Sequence, residues 1–115
     1  MIPLPLKALL FFASTREDLR ALPEDARRAV GHELLQVQRG LVPSDFKPMP
    51  TVGPGVYEVR VRTALQHRVF YVARFAEAVY VLHVFEKRSR KTPRAEIELG
   101  RARLAALVRE RSGTR

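Results

Sequence analysis

Val56-Tyr57-Glu58-Val59-Arg60-Val61-Arg62-Thr63 alternates strictly between apolar and polar side chains from Tyr57 onward. A period of two sends successive side chains to opposite faces of a strand. Tyr57, Val59 and Val61 therefore share one face, and Glu58, Arg60 and Arg62 share the other. Two more strand-like runs follow, Gln66 to Arg74 and Glu77 to Phe85. The links between them, Ala64-Leu65 and Phe75-Ala76, are short enough for hairpins although neither carries an Asn-Gly or Asp-Gly signal, so the economical reading is an antiparallel meander. Setting Val69, Tyr71 and Ala73 against the core leaves Arg68 on the side of Arg60. In the third run Val79, Val81, His83, Phe85 and Lys87 alternate with Tyr80, Leu82 and Val84. Both sets are mostly apolar, so alternation leaves the side of His83 open.

Upstream, Ala8-Leu9-Leu10-Phe11-Phe12-Ala13 is a short continuous apolar run and reads as a buried strand. Ser14-Thr15-Arg16-Glu17 fits a capping box at the start of a short helix through Leu19 and Leu22. Pro23 then opens a longer helix, Glu24 to Arg39, with Ala26, Val30, Leu34 and Val37 in one stripe and Gly40 as its left-handed stop. Gly31 inside that helix is a mild penalty that close packing would explain. Leu41 to Gly55 holds four prolines and two glycines and reads as a loop. Downstream, Thr92-Pro93 opens a last helix whose apolar face carries Ile97, Leu104 and Val108, with Arg101, Arg103, Arg109 and Arg111 over much of the rest; Ser112 to Arg115 is expected to fray. The order strand, helix, helix, three strands, helix specifies an α+β fold. It is a small antiparallel sheet of about four strands with two N-terminal helices on one face and a C-terminal helix. The opposite sheet face would then carry the polar residues of the alternating strands.

The chain has 115 residues and 46% apolar side chains, enough for one core and too little for two. Residues 1–115 are thus one domain, with 7–107 as its core. It has no cysteine, which excludes a disulfide framework and thiolate-ligated metals. Three scattered histidines make a poor metal site, and no cofactor is expected. Prolines in Met1-Ile2-Pro3-Leu4-Pro5-Leu6-Lys7 do not suit an export signal, and no apolar run is long enough to span a bilayer, so a cytosolic protein without a membrane partner is expected. The net charge is +9, and its distribution is uneven. Residues 1–59 carry seven basic and seven acidic side chains, whereas residues 60–115 carry fourteen basic and five acidic. A balanced front and a cationic back imply a polyanionic partner meeting one region of the surface.

Several stretches in order, LPEDARRAVGHELLQVQRG ending at Gly40, DFKPMPTVGPGVYEVRVR from Asp45, and HRVFYVARFAEAVYVLHVFEKRSRKTP from His67, resemble the RelE/ParE toxin superfamily, in its phage-related branch that includes HigB-type toxins. The resemblance runs from about Lys7 to Leu107. It implies a toxin of a type II toxin–antitoxin system, commonly an mRNA endonuclease acting on the ribosome. Such a toxin is held inactive by a cognate antitoxin, often a helix-turn-helix protein, so it exists as a monomer or a toxin–antitoxin hetero-oligomer. The superfamily also holds non-nuclease inhibitors of DNA gyrase, and a degenerate toxin that only binds nucleic acid or antitoxin would share the fold.

RNA cleavage by the substrate's own 2′-hydroxyl needs a proton acceptor, a proton donor and cations where charge develops on phosphorus. Arginine meets phosphate oxygens with a planar fork. The matching positions of the resembled family point to Arg60 and Arg68 as the groups that hold the scissile phosphate. Lys87 and Lys91 are candidates for proton transfer, because neighbouring cations disfavour the charged form of a lysine. His83 is the other titratable candidate. Lys47, Arg62, Arg88, Arg90, Lys91 and Arg94 are candidates for binding the flanking RNA. Against this stand plainer possibilities: Arg60 and Arg62 as a solvated face paired with Glu58, His83 as a packed sheet histidine, and Lys87 to Arg94 as a solvated charge run.

Overall fold

The computed structural model describes residues 6–113. The opening Met1 to Pro5, read above as unlike an export signal, and the last two residues of the end expected to fray lie outside the described residues. The chain folds as β1 (Ala8–Phe11), α1 (Thr15–Arg20), α2 (Glu24–Gln38), β2 (Phe46–Pro48), β3 (Val56–Arg62), β4 (Gln66–Val72), β5 (Ala78–Glu86) and α3 (Arg94–Gly113). The expected α+β class holds, and so does the expected element order except for an added strand, β2. The sheet has five strands in the order β1-β5-β4-β3-β2. The meander β3–β4–β5 is antiparallel as expected, while β1 joins β5 in parallel at one edge. Within the supposed loop, Phe46-Lys47-Pro48 pairs with β3 and forms the other edge. Proline suits such an edge, where a missing N–H breaks no ladder.

Helix α2 packs its stripe of Val30, Leu34 and Val37 on Val59, Val61, Val69, Tyr71, Val79 and Val81. It ends as expected: Gly40 has φ 81°, its N–H donates to the Val37 carbonyl, and the N–H of Leu41 reaches back to Gln36. Helix α1 starts differently. Ser14 makes no side-chain cap to the backbone, and its hydroxyl donates to the Asp18 carboxylate at 2.9 Å instead. Its φ and ψ of −86° and 9° lie outside the extended region a capping serine adopts.

The opposite sheet face is not the open polar surface expected. Helix α3 and the Met49–Val52 turn cover much of it, burying Val56, Phe70, Val72, Leu82, Phe85, Leu104 and Leu107 together. The buried side of α3 runs through Gly100, Leu104 and Leu107, with Ile97 partly buried, while Val108 is exposed. Gly100 is needed there, because a Cβ would stand 2.8 Å from the Phe70 ring. Three of the helix arginines are anchored. Arg103 donates to the Leu82 carbonyl, Arg101 to the Thr51 carbonyl, and Arg111 pairs with Glu77 while lying over the Phe75 ring. The helix continues through Gly113, so Ser112 is helical. Among the described residues no helix is long and apolar enough to cross a membrane.

Candidate functional site

Arg60 stands opposite Arg68 in the β3–β4 ladder. With period two, Glu58, Arg60 and Arg62 then share the α3-side face with Arg68. Strand β5 reaches the same face through an irregularity. Phe70 is opposite His83 but Tyr71 is opposite Val81, so Leu82 is an extra residue, a β-bulge. Before the bulge Val79 and Val81 pack toward α2; after it Val84 does, while Leu82 and Phe85 pack toward α3. Continuing that parity brings Lys87 beside Arg68, its N–H donating to the Gln66 carbonyl at 2.8 Å.

Beyond the reach of α3 this face opens into a concavity of about 440 Å³, lined by Arg60, Arg62, Gln66, Arg68, Lys87, Arg88, Ser89 and Arg90. A second concavity of about 420 Å³, with Lys47, Lys91 and Thr92 on its walls, shares Lys87 and Arg90 with the first. The two form one cationic trough along the ends of β3 to β5 and the edge of β2.

Arg68 and Arg60 are not free cations. Arg68 is 3% exposed, and its Nε lies 3.6 Å from Oε1 of Glu58, which is fully buried. Its Nη2 donates to the Gln66 side-chain oxygen at 3.0 Å, and its Nη1 to the His67 carbonyl at 3.3 Å. The other Glu58 oxygen accepts the Thr92 hydroxyl at 3.4 Å. Burial holds the Arg68 pKa below the usual guanidinium range, and Glu58 works against that fall. Arg60 is clamped by Asp45, with Nε and Nη2 at 2.9 and 2.6 Å from one carboxylate oxygen. The Arg60 N–H also donates to the Asp45 carbonyl. Burial, and then the Arg68 charge, lower the pKa of Lys87.

Of the residues expected from sequence, Arg60, Arg62, Arg68, Lys87, Arg88 and Arg90 come together in the first concavity, and Lys47 and Lys91 join through the second. His83 does not line either. The bulge turns it under α3, where it is 6% exposed, stacks on Phe85 and places Nε2 2.7 Å from a Glu96 oxygen. Burial pushes its pKa down, against the pull of Glu96. His83 is thus a packed helix anchor rather than a group that meets the trough. Arg94 also lies apart, exposed at the start of α3 and paired with Glu98. Sequence reading missed Asp45, Gln66 and Thr92. Asp45 directly precedes β2, so only the β2–β3 pairing brings it to Arg60, fifteen residues away.

Chemically, the trough offers guanidinium and ammonium donors to a polyanion, with the first concavity at its centre. Among the described residues no group of three or more His, Asp or Glu is placed to hold a metal ion.

A family model described as "Phage derived protein Gp49-like" (DUF891) matches residues 17–105, from α1 into α3. No curated protein matches the chain significantly. The chain belongs to the Gp49-like family, which is of the RelE/ParE-like toxin kind.

Proposed function

We propose that this Gp49-like protein is a HigB-like toxin of a toxin–antitoxin pair and an endoribonuclease that cuts mRNA on the ribosome without a metal. The observation that carries the reading is the convergence of Arg60, Arg62, Arg68 and Lys87 on one open concavity. A phosphodiester placed there meets cations from three adjacent strands or strand ends, where charge builds on phosphorus during attack. The substrate 2′-oxygen bonds to phosphorus and the bond to the 5′-oxygen breaks, leaving a 2′,3′-cyclic phosphate and a 5′-hydroxyl. The 2′-hydroxyl proton must leave and the 5′-oxygen must gain one. Lys87 is the group assigned to proton transfer, since burial and Arg68 favour its neutral form.

Asp45 fixes the Arg60 guanidinium plane, and the Gln66 side chain and His67 carbonyl hold that of Arg68, before substrate arrives, so little ordering remains to be done on binding. Lys47, Arg88, Arg90 and Lys91 flank this centre and suit the phosphates on either side. A cognate antitoxin of helix-turn-helix type would hold the toxin inactive.

The test is inducible expression with mapping of RNA 5′ ends, for the parent and for Arg60→Ala and Arg68→Ala. Cuts inside translated messages that vanish in both variants, with folded protein recovered, support the reading. A folded variant that cuts normally refutes the assignment of that arginine. Intact RNA with stalled supercoiling would move the reading to gyrase inhibition.

A further inference from the structure

On the other side of the Pro48–Gly55 segment from the trough lies a hollow of a different character. It measures about 280 Å³ and is walled mainly by Pro48, Pro50, Gly53, Pro54, Gly55 and Tyr57, with no charged side chain on its lining. Pro48 and Pro50 also line the Lys47–Lys91 part of the trough, so the two spaces meet across a single rim.

The rim is rigid. Arg101 donates twice to the Thr51 carbonyl, at 3.1 and 2.6 Å, and Arg74 donates to the Pro54 carbonyl at 3.3 Å. The Met49 N–H bonds the Val56 carbonyl at 2.8 Å, and three prolines fix their own φ. Gly55, at φ +77°, lies so close that a Cβ would stand 2.6 Å from the Arg74 side chain. The hollow is therefore preformed and left empty by the chain's own side chains.

We propose that this hollow is a nucleobase subsite. With the phosphates of a single-stranded RNA in the trough, one unstacked base turns over the Pro48–Pro50 rim and packs among the prolines and Tyr57. The inference rests on the reading of the trough as an RNA site. Three observations point to a base. The volume lies just below the roughly 300–1,000 Å³ of pockets for drug-sized ligands, which suits one heterocycle. Neither part of the trough is lined by an aromatic ring, so base stacking, the usual means of holding unpaired RNA, must be supplied beside it. A polypeptide strand would look for backbone partners along the rim, but Arg101 and Arg74 already occupy the Thr51 and Pro54 carbonyls.

The test compares two labelled, uncleavable 2′-O-methyl strands of equal length, one with bases and one abasic, by fluorescence anisotropy. The proteins are the full chain, Tyr57→Leu and Pro50→Asp. The parent is expected to bind the base-bearing strand about tenfold more tightly. In both variants the two strands should converge to within about twofold. In Tyr57→Leu the slope of log affinity against log salt should stay unchanged, because the phosphate contacts remain. Equal affinity of the parent for both strands, with salt-dependent binding, overturns the base subsite and leaves the trough standing. A preference that survives in the folded variants also overturns it, since the base then sits elsewhere. Absence of salt-dependent binding to either strand overturns the RNA reading itself. Equal affinity of the parent for both strands overturns the subsite whether or not a variant folds, and either folded variant alone suffices to place the base.

Discussion

Replacing Glu58 by alanine strands a buried guanidinium. Arg68 is 3% exposed and Glu58 fully buried, with 3.6 Å between the nearest charged atoms. At that separation and an effective dielectric of about 20, the attraction is about 5 kcal/mol, most of which offsets the cost of taking both charges out of water. Removing only the carboxylate forfeits the attraction and keeps the desolvation of Arg68. Breaking buried pairs in this way costs about 3–5 kcal/mol. For a urea slope of about 1–3 kcal/mol/M, the unfolding midpoint should fall by roughly 1–5 M. Replacing both partners, Glu58→Met with Arg68→Met, removes both desolvation costs together and should bring the midpoint back to near the parent value. The assay is urea denaturation followed by circular dichroism on all three proteins. A loss below about 1 kcal/mol in Glu58→Ala, or a double variant as unstable as the single one, would refute the coupling of these two charges.

Gly31 lies on the solvent side of α2, and no atom stands within 4 Å of where its Cβ would be, so close packing does not explain it. Gly31→Ala should stabilise the protein by about 0.5–1 kcal/mol and raise the thermal midpoint by a few degrees; an unchanged or lower midpoint would contradict this. Burial lowers the pKa of His83 below its ordinary 6.5, so the unfolded chain takes up this proton more readily than the folded one. The contribution of neutral His83 is then fully present above about pH 6.5 and is lost as the pH falls toward the lowered folded value. His83→Gln should flatten that acid limb of the stability curve, and an equally steep limb in the variant would assign it to other groups. Lys87 likewise titrates below its ordinary 10.5, so if it accepts the 2′-hydroxyl proton, single-turnover cleavage should rise with pH toward that lowered value. Lys87→Arg keeps the charge but not the titration, and a rate with the same pH dependence in that variant rules Lys87 out as the acceptor.

How far the sequence could be read depended on the range of the forces involved. The β3 alternation is a local property, and it correctly put Arg68 on the face of Arg60 once Val69 and Tyr71 were set against the core; the register that sets them opposite each other came only with the structure. The end of α2 was equally local, since Gly40 and the residues around it make the whole stop signal. The parallel seat of β1 beside β5 was not legible, because it joins Ala8 to Ala78 with no hairpin between them. Nor was the cover of α3, whose arginines look like a solvated surface until Arg101, Arg103 and Arg111 find carbonyls and a carboxylate on distant segments. Asp45 was hidden by its surroundings: a segment rich in proline and glycine reads as a loop, yet three of its residues form the edge strand that brings this carboxylate to Arg60.

The bulge at Leu82 has the largest consequence for the site, and a period-two reading has no way to include it. Tyr80 and Leu82 face α3 before it; a regular strand would continue with Val84 and then Glu86 on that face. Glu86, not Lys87, would then stand beside Arg68, and the concavity would hold a carboxylate where it now holds an ammonium. One inserted residue exchanges these two, turning Val84 into the α2-side core and His83 under α3. Glu86 is left on the opposite side, opposite His67 and paired with exposed Arg88. The same irregularity therefore explains two facts at once: why the only histidine of β5 is removed from the trough, and why the trough is cationic. If the Glu58–Arg68 pair proves replaceable by hydrocarbon at little cost in stability, as predicted above, the burial of that guanidinium at the floor of the trough is accounted for by the proposed polyanion rather than by the fold.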